Sequence, residues 1–312
     1  MRLAQHPLMT QAALPSTIAS PLRVSEMTRT LAQFNATRLV PGLPTENWKR
    51  CLADERYVLQ IEGEFVEAQR RLVAERASQA PTEAAAFVRW FEELKENGPG
   101  QGDPLFPYLA QAASQQEMIW FLEQEVAGEA GFDDLVALTQ VRLPTCAKLE
   151  MARNYWDEMG QGHESGMHGP MLERLARDLN LRRGTAHVVV ESLALGNLMV
   201  ALAANRRYAY HSIGALGAIE LTAPGRAAQV NAGLKRLGLS GSSRQYFALH
   251  STLDVKHSEA WNREVLYPLV EQEPKVARAI AEGALMRLQA GANCFERYRK
   301  TLNFHELSSY AH

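Results

Sequence analysis

The sequence predicts an all-α protein. From Pro104 onward nearly every window places apolar residues at helical spacing, and no stretch alternates Val, Ile or Thr with polar residues as a half-buried strand does. Pro144, Gly160-Gln161-Gly162, Arg183-Gly184, Pro224-Gly225, Gly238 to Gly241 and Pro274 divide the periodic segments. The predicted core helices are 107–113, 115–140, 145–159, 167–179, 186–205, 208–237, 242–271 and 276–303, with Pro224 kinking or dividing the sixth because proline removes a helical hydrogen bond.

Ahead of them, residues 1–20 carry His6, Pro7, Gln11 and Pro15 and lack an apolar run of signal-peptide length, so they read as a flexible arm. Residues 24–37 space Met27, Leu31 and Phe34 as a helix does. A second helix begins at Thr45, whose side chain can cap the first turn, and runs to about Ser78. A third, 83–96, sets Phe87, Trp90, Phe91 and Leu94 on one side. The break Asn97-Gly98-Pro99-Gly100-Gln101-Gly102 is the clearest in the chain. It marks a boundary between an accessory region, residues 1–100, and a core domain, residues 101–312; these helices can equally pack onto the core as part of one domain.

A chain of 312 residues buries a large core. Its net charge of -2 and pI near 6.5 give no basic excess to draw it to nucleic acid or anionic lipid, which leaves a small neutral or zwitterionic molecule as the expected partner. Cys51, Cys146 and Cys294 are far apart and odd in number, so neither a disulfide framework nor a thiolate metal site is indicated, and a reducing cytoplasm fits. The most apolar run, residues 192–204, is too short to cross a bilayer and contains Asn197, which places it in a protein core.

The residues that carry chemistry cluster late. His250, Asp254 and His257 stand at i, i+4 and i+7, one stripe of a helix, with Leu249 and Leu253 beside it and Ser251, Lys256 and Ser258 opposite. The polar triplet therefore faces inward, and imidazole with carboxylate suits iron, zinc or manganese. Glu220 is the sole charge in Ser212 to Leu221, where small residues allow close helix approach. Metal ligation or a salt bridge to Arg226 or another arginine would satisfy it. In the helix 115–140, Glu125 and Glu129 interrupt an apolar stripe one turn apart, and a buried pair of like charges needs a cation or a proton. Glycines after Glu158 let the chain turn so that Glu158 and His168 converge. His163 lies in the loop as a surface residue, and Asp157 points about 100 degrees from Glu158, as a solvated or capping residue would. Inward carboxylates and imidazoles from four helices match the arrangement of a dimetal carboxylate bundle, although the paired Glu-x-x-His of ferritin-like proteins is missing.

At these residues the chain resembles the heme-oxygenase-like diiron oxidases and oxygenases, a family of iron-containing redox enzymes. The resemblance covers roughly residues 104–303. It rests on the His250/Asp254/His257 triplet, on Glu220 about thirty residues earlier, on the Asp-Glu-Met-Gly-x-Gly turn with Glu158 and His168, and on an earlier helical glutamate. It implies a heme oxygenase-like helical bundle with extra N-terminal helices. It further implies two Fe ions held by Glu125, Glu158, His168, Glu220, His250, Asp254 and His257, with Glu129 as the alternative to Glu125, and O2 as co-substrate. The reaction implied is N-oxygenation, desaturation or oxidative C–C cleavage of a small amine or amino-acid-like substrate, in biosynthesis, by a cytoplasmic protein that can form a homodimer. For substrate contacts the nominees are Tyr155, Tyr208, Tyr210, Asn197 and Arg206 or Arg207, since an arginine can anchor a carboxylate. Two other readings compete. One is an iron-binding protein with no organic substrate. The other is a metal-free, thiaminase-like hydrolase on the same scaffold, which needs a nucleophilic cysteine and finds a candidate in Cys146.

Overall fold

The computed structural model describes residues 21–44, 46–128 and 131–302, and among them every regular element is helical. The helices are α1 Pro21–Arg38, α2 Trp48–Ala77, α3 Ala84–Asn97, α4 Leu105–Gln111, α5 Gln115–Gly128, α6 Phe132–Thr139, α7 Thr145–Glu158, α8 His168–Asp178, α9 Val190–Ala204, α10 Ala209–Arg236, α11 Gln245–Trp261, α12 Tyr267–Gln272 and α13 Val276–Thr301. The N-terminal arm and the Thr45 cap lie outside the described residues; α2 begins at Trp48, and Asn47 at its N-cap makes no side-chain capping bond.

The bundle is built around α9, α10 and α13. Helix α9 is the apolar run 192–204, and it is buried on all sides, with Leu193, Leu198, Val200 and Leu202 inside. Its polar members are satisfied internally: Asn197 donates to the carbonyl of Thr28 at 2.9 Å and accepts from Asn35 at 3.0 Å, which ties α1 to α9. Helices α10 and α13 approach closely because each offers a glycine at the crossing. A methyl group on Gly214 would overlap the carbonyl of Ile280, and one on Gly283 would overlap the carbonyl of His211. The accessory helices pack on this frame: Arg70 of α2 donates to Glu282 of α13 at 2.8 Å, and Phe87 and Phe91 of α3 join the same apolar core.

Three elements differ from the sequence expectation. The helix expected over 115–140 is two, α5 and α6, with Gly131 in a left-handed conformation (φ 69°) at the start of α6. Pro224 divides nothing: it sits buried inside α10, where packing on neighbouring helices outweighs the lost hydrogen bond. The segment expected over 242–271 is α11 and α12 joined by a π-helical turn at Asn262–Leu266, which advances the buried face by one residue and keeps Trp261, Val265 and Leu269 inside.

Glu282 is the strongest buried charge in the frame. His211 Nε2 lies 3.0 Å from it, and Arg70 and Arg278 donate to it at 2.8 and 3.2 Å. Burial alone would raise its pKa, but these bonds outweigh burial and take it from 4.5 to about 2. A depressed carboxylate contributes stability that is complete above its unfolded value and lost as pH falls. Glu282→Gln should therefore cost roughly 2–4 kcal/mol at neutral pH, a cost that shrinks as pH falls below about 4.5 and is nearly gone only below about pH 2, read by denaturant unfolding at each pH. By the same measurement Gly214→Ala should destabilise by about 1–3 kcal/mol, since overlap with backbone cannot relax cheaply. Gly63→Ala in α2, where a Cβ meets nothing within 4 Å, should stabilise by about 0.5–1 kcal/mol.

Candidate metal centre

Four helices deliver the candidate ligands to one place. Helix α7 ends at Glu158. Gly160 and Gly162 (φ 60° and 85°) then reverse the chain, aided by Gln161 in the same left-handed region. A side chain on Gly160 would collide with the backbone of Gly166 and Met167, and the bridge between Met159 and Met167 closes the loop. Helix α8 consequently starts with His168 against Glu158, and His168 Nδ1 pairs with Glu158 Oε2. Helix α10 contributes Glu220, and α11 packs along it with His250, Asp254 and His257 on the facing side.

These residues form two overlapping groups. Ligand atoms of Glu158, His168 and His250 lie within 4.8 Å of one another, as do those of Glu158, Glu220 and His257, so Glu158 belongs to both. Glu158, His168, Glu220, Asp254 and His257 are all buried, Glu220 and Asp254 with only 2% of their surface exposed. The neighbouring side chains orient the ligands. Asn154 donates to Glu220 Oε1 at 2.6 Å. His257 faces Asp157 Oδ2 with Nε2 at 3.1 Å and Glu220 Oε2 with Nδ1 at 3.5 Å. The Tyr246 carbonyl is 2.7 Å from His250 Nδ1, which leaves Nε2 as that ring's ligand atom, and the rings of His250 and His168 stand edge to face at 4.5 Å.

The electrostatics divide the two α11 histidines. Burial and the neighbouring His168 push His250 down to about 4, so its imidazole is neutral at pH 7 and has a lone pair to give. Burial also works against charge on His257, but Glu220 and Asp157 outweigh it and hold His257 up at about 9. Without a metal, that proton sits among the carboxylates; a cation bound there displaces it.

The group opens on a cavity of about 190 Å³ that Glu158, His168, Glu220, His250 and Asp254 line at one end. Its walls are apolar, with Leu135, Leu172, Leu195, Met199, Ile219 and Phe247. Glu125 lines the cavity as well but belongs to neither ligand group. It accepts from the Tyr298 hydroxyl at 3.0 Å, and burial raises its pKa against the pull of Tyr298, Arg287 and Arg226. Glu129 lies outside the described residues. Glu220 has no lysine or arginine at ion-pair distance among the described residues, and Arg226 instead donates to the carbonyl and hydroxyl of Thr222.

None of the nominated substrate residues lines the cavity. Tyr208 donates to Glu67 at 2.9 Å, Arg207 pairs with the same carboxylate at 3.3 Å, and Arg206 binds the carbonyls of Leu138 and Thr139 at 3.2 and 3.0 Å. Tyr155 and Tyr210 pack against the core, and Asn197 joins α9 to α1. Helix-end position drew attention to these residues, but their partners come from distant segments. Sequence reasoning passed over Asn154, one turn before Glu158, and Arg226 and Arg287 as cavity residues; it read Asp157 as solvated or capping, whereas Asp157 is half-buried against His257. A helical stripe through Ile219, Ala223, Arg226 and Val230 was the available signal for Arg226.

A family model described as iron-containing redox enzyme matches residues 119–292, a span that holds every member of both ligand groups. The chain belongs to that family. No curated protein matches it. Membership makes the protein an oxidoreductase with iron, on the heme oxygenase-like all-α bundle, and the donor set agrees with that metal. Imidazole nitrogen and carboxylate oxygen without thiolate suit iron, and two buried carboxylates whose oxygens approach within 4.8 Å call for a cation. None of the described helices is long and apolar enough to cross a membrane. In an iron-containing redox enzyme a residue that holds a ligand affects affinity almost as the ligand does. Asn154→Leu should weaken Co(II) uptake, followed by visible absorption, by about 10–100-fold while helical content is unchanged.

Proposed function

We propose that the protein is a non-heme diiron oxidase or oxygenase that uses O2 to oxidise a small amine or amino-acid-like substrate by N-oxygenation, desaturation or oxidative C–C cleavage. The observation that carries this reading is the sharing of Glu158 by two three-residue ligand groups, an arrangement suited to a pair of ions joined by one carboxylate. Glu158, His168 and His250 would hold one ion, and Glu158, Glu220 and His257 the other. Asp254, buried beside them on α11 one turn from His250, is assigned as a further ligand. Of the two glutamates offered for the remaining position, Glu125 enters neither group and is engaged by Tyr298, while Glu129 lies outside the described residues.

When bound, the iron pair supplies electrons and open coordination positions for O2 chemistry. The chain supplies the rest. Asn154 and Asp157 hold Glu220 and His257 in ligating orientation, and the Tyr246 carbonyl fixes the His250 ring. The aliphatic and aromatic walls exclude water from the reacting end of the cavity and shape the space for an organic molecule. That walled cavity favours an enzyme over an iron-binding protein without substrate, which needs no such space. The hydrolase reading loses its nucleophile, since Cys146 is exposed and lines no part of the cavity. Cys294 is buried, and burial with the nearby Glu125 raises its thiol to about 12, which leaves it inert.

The test is anaerobic Fe(II) titration followed by rapid mixing with O2. Uptake of about two irons per chain and a transient visible absorption, whose decay one of a set of amines or amino acids accelerates, are the expected results. Failure to take up iron sinks the proposal. His257→Ala should retain about one iron and lose turnover, because a buried ligand of this kind has no ready substitute; two retained irons with normal turnover would remove His257 from the centre.

A further inference from the structure

Helix α7 carries Glu158 on its inner face and, on its outer face, a pattern that the ligand groups do not use. Leu149, Ala152 and Trp156 stand at i, i+3 and i+7, one stripe of the helix, and all three are exposed, Leu149 and Trp156 by 56% and 53%. Lys148 flanks the stripe on one side and Arg153 on the other, both exposed. The acidic residues of the same helix turn away: Glu150 and Glu158 are buried, and Asp157 is half-buried against His257. Charge is thus sorted by sign across α7, and Arg153 is held in place by donating to Glu150 at 2.7 Å. Arg142, in the turn before α7, is exposed as well, and so is Arg263 on the π-helical turn packed against α7, where Glu264 pairs with it at 2.8 Å. Trp156 is not loose. A Cβ on Gly162 would lie 3.0 Å from its indole, so the loop that follows α7 rests on the ring edge. An ordered tryptophan and a leucine held in water between basic flanks form an apolar patch with a charged rim, the anatomy of a docking face for an acidic protein. A second copy of the chain would set the same basic flanks against each other, which disfavours self-pairing.

This face is also next to the chemistry. Trp156 is two residues from Glu158, and Asp157 between them reaches His257 Nε2 at 3.1 Å. One helix, about 10–12 Å across, separates the outer face from the candidate ligand groups. N-oxygenation or desaturation consumes one O2 with two electrons and two protons, releasing one water with oxygen insertion or two with desaturation. The substrate supplies none of those two electrons, so an external reductant must. We propose that the outer face of α7 docks an acidic one-electron carrier protein, which is oxidised by one electron in each of two encounters while the metal groups are reduced, the protons coming from water. The proposal rests on the diiron reading and names the partner that completes it.

Two carriers serve as probes, titrated calorimetrically into the metal-free full-length protein: a plant-type [2Fe–2S] ferredoxin, which is acidic, and cytochrome c, which is basic. The ferredoxin should bind at about 20 mM salt and weaken by about tenfold or more at about 200 mM, and cytochrome c should not bind. Lys148→Glu combined with Leu149→Glu, both on the exposed face, should weaken ferredoxin by about tenfold or more while helical content and Co(II) uptake stay unchanged. In the iron-loaded protein the same double variant should slow the oxidation of reduced ferredoxin, followed by its visible absorption, and leave reduction by dithionite at the unaltered rate. Absence of ferredoxin binding, equal binding of cytochrome c, indifference of ferredoxin to the double variant, or capture of phosphatidylserine vesicles through the same two residues each overturns the proposal. Should the double variant not fold, the two carriers and the salt series on the unaltered chain decide alone. A protein that takes up no iron yet binds ferredoxin through Lys148 and Leu149 overturns only the diiron reading; two irons, reducible by dithionite, with no ferredoxin binding overturns only this one.

Discussion

Glu158 and Glu220 meet inside a helical bundle, and that juxtaposition governs the rest of the site. Two carboxylates a few ångströms apart in an apolar interior cannot both stay ionised without positive charge beside them. Among the described residues the chain brings histidines to that point: His168 sits against Glu158 and His257 against Glu220. An arginine there would neutralise the pair permanently and leave no vacancy. A histidine can carry the charge as a proton and then exchange that proton for a metal ion, which is the condition His257 meets when its neighbours hold it at about 9. His250, pushed in the opposite direction, is already a neutral donor. The same bundle thus holds a set of candidate ligands whose charges are balanced by their own imidazoles.

The frame that allows this is the glycine-mediated crossing of α10 and α13. With Gly214 and Gly283 at the contact the two helices approach to backbone distance on one side. Further along the same two helices, Glu220 reaches the candidate ligand groups and Arg226 and Arg287 line the cavity. Glu282, near the crossing, binds the accessory helix α2 through Arg70 and takes His211 with it. The N-terminal helices are in this sense part of the support for α13, which in turn packs on α10, the helix that carries Glu220.

Local rules made much of this legible. The i, i+4, i+7 spacing of His250, Asp254 and His257 fixes them to one face of any helix, and a glycine-rich reversal between Glu158 and His168 leaves few other ways for the chain to run. Helix periodicity located the core helices to within a few residues, because each has an amphipathic face or, for α9, none at all. Two kinds of information were absent. Helix continuity depends on surroundings, so a new helix starts after Gly131 where periodicity ran one helix through, and Pro224 failed to end one. Partners far apart in sequence are the other: the Tyr208 hydroxyl goes to Glu67, 141 residues away, and Arg206 goes to carbonyls at the end of α6. A tyrosine or arginine at a helix end has the same local signature whether it faces a cavity or a neighbouring helix, which is why Arg206 and Tyr208 reach neighbouring helices while Arg226 and Arg287 line the cavity.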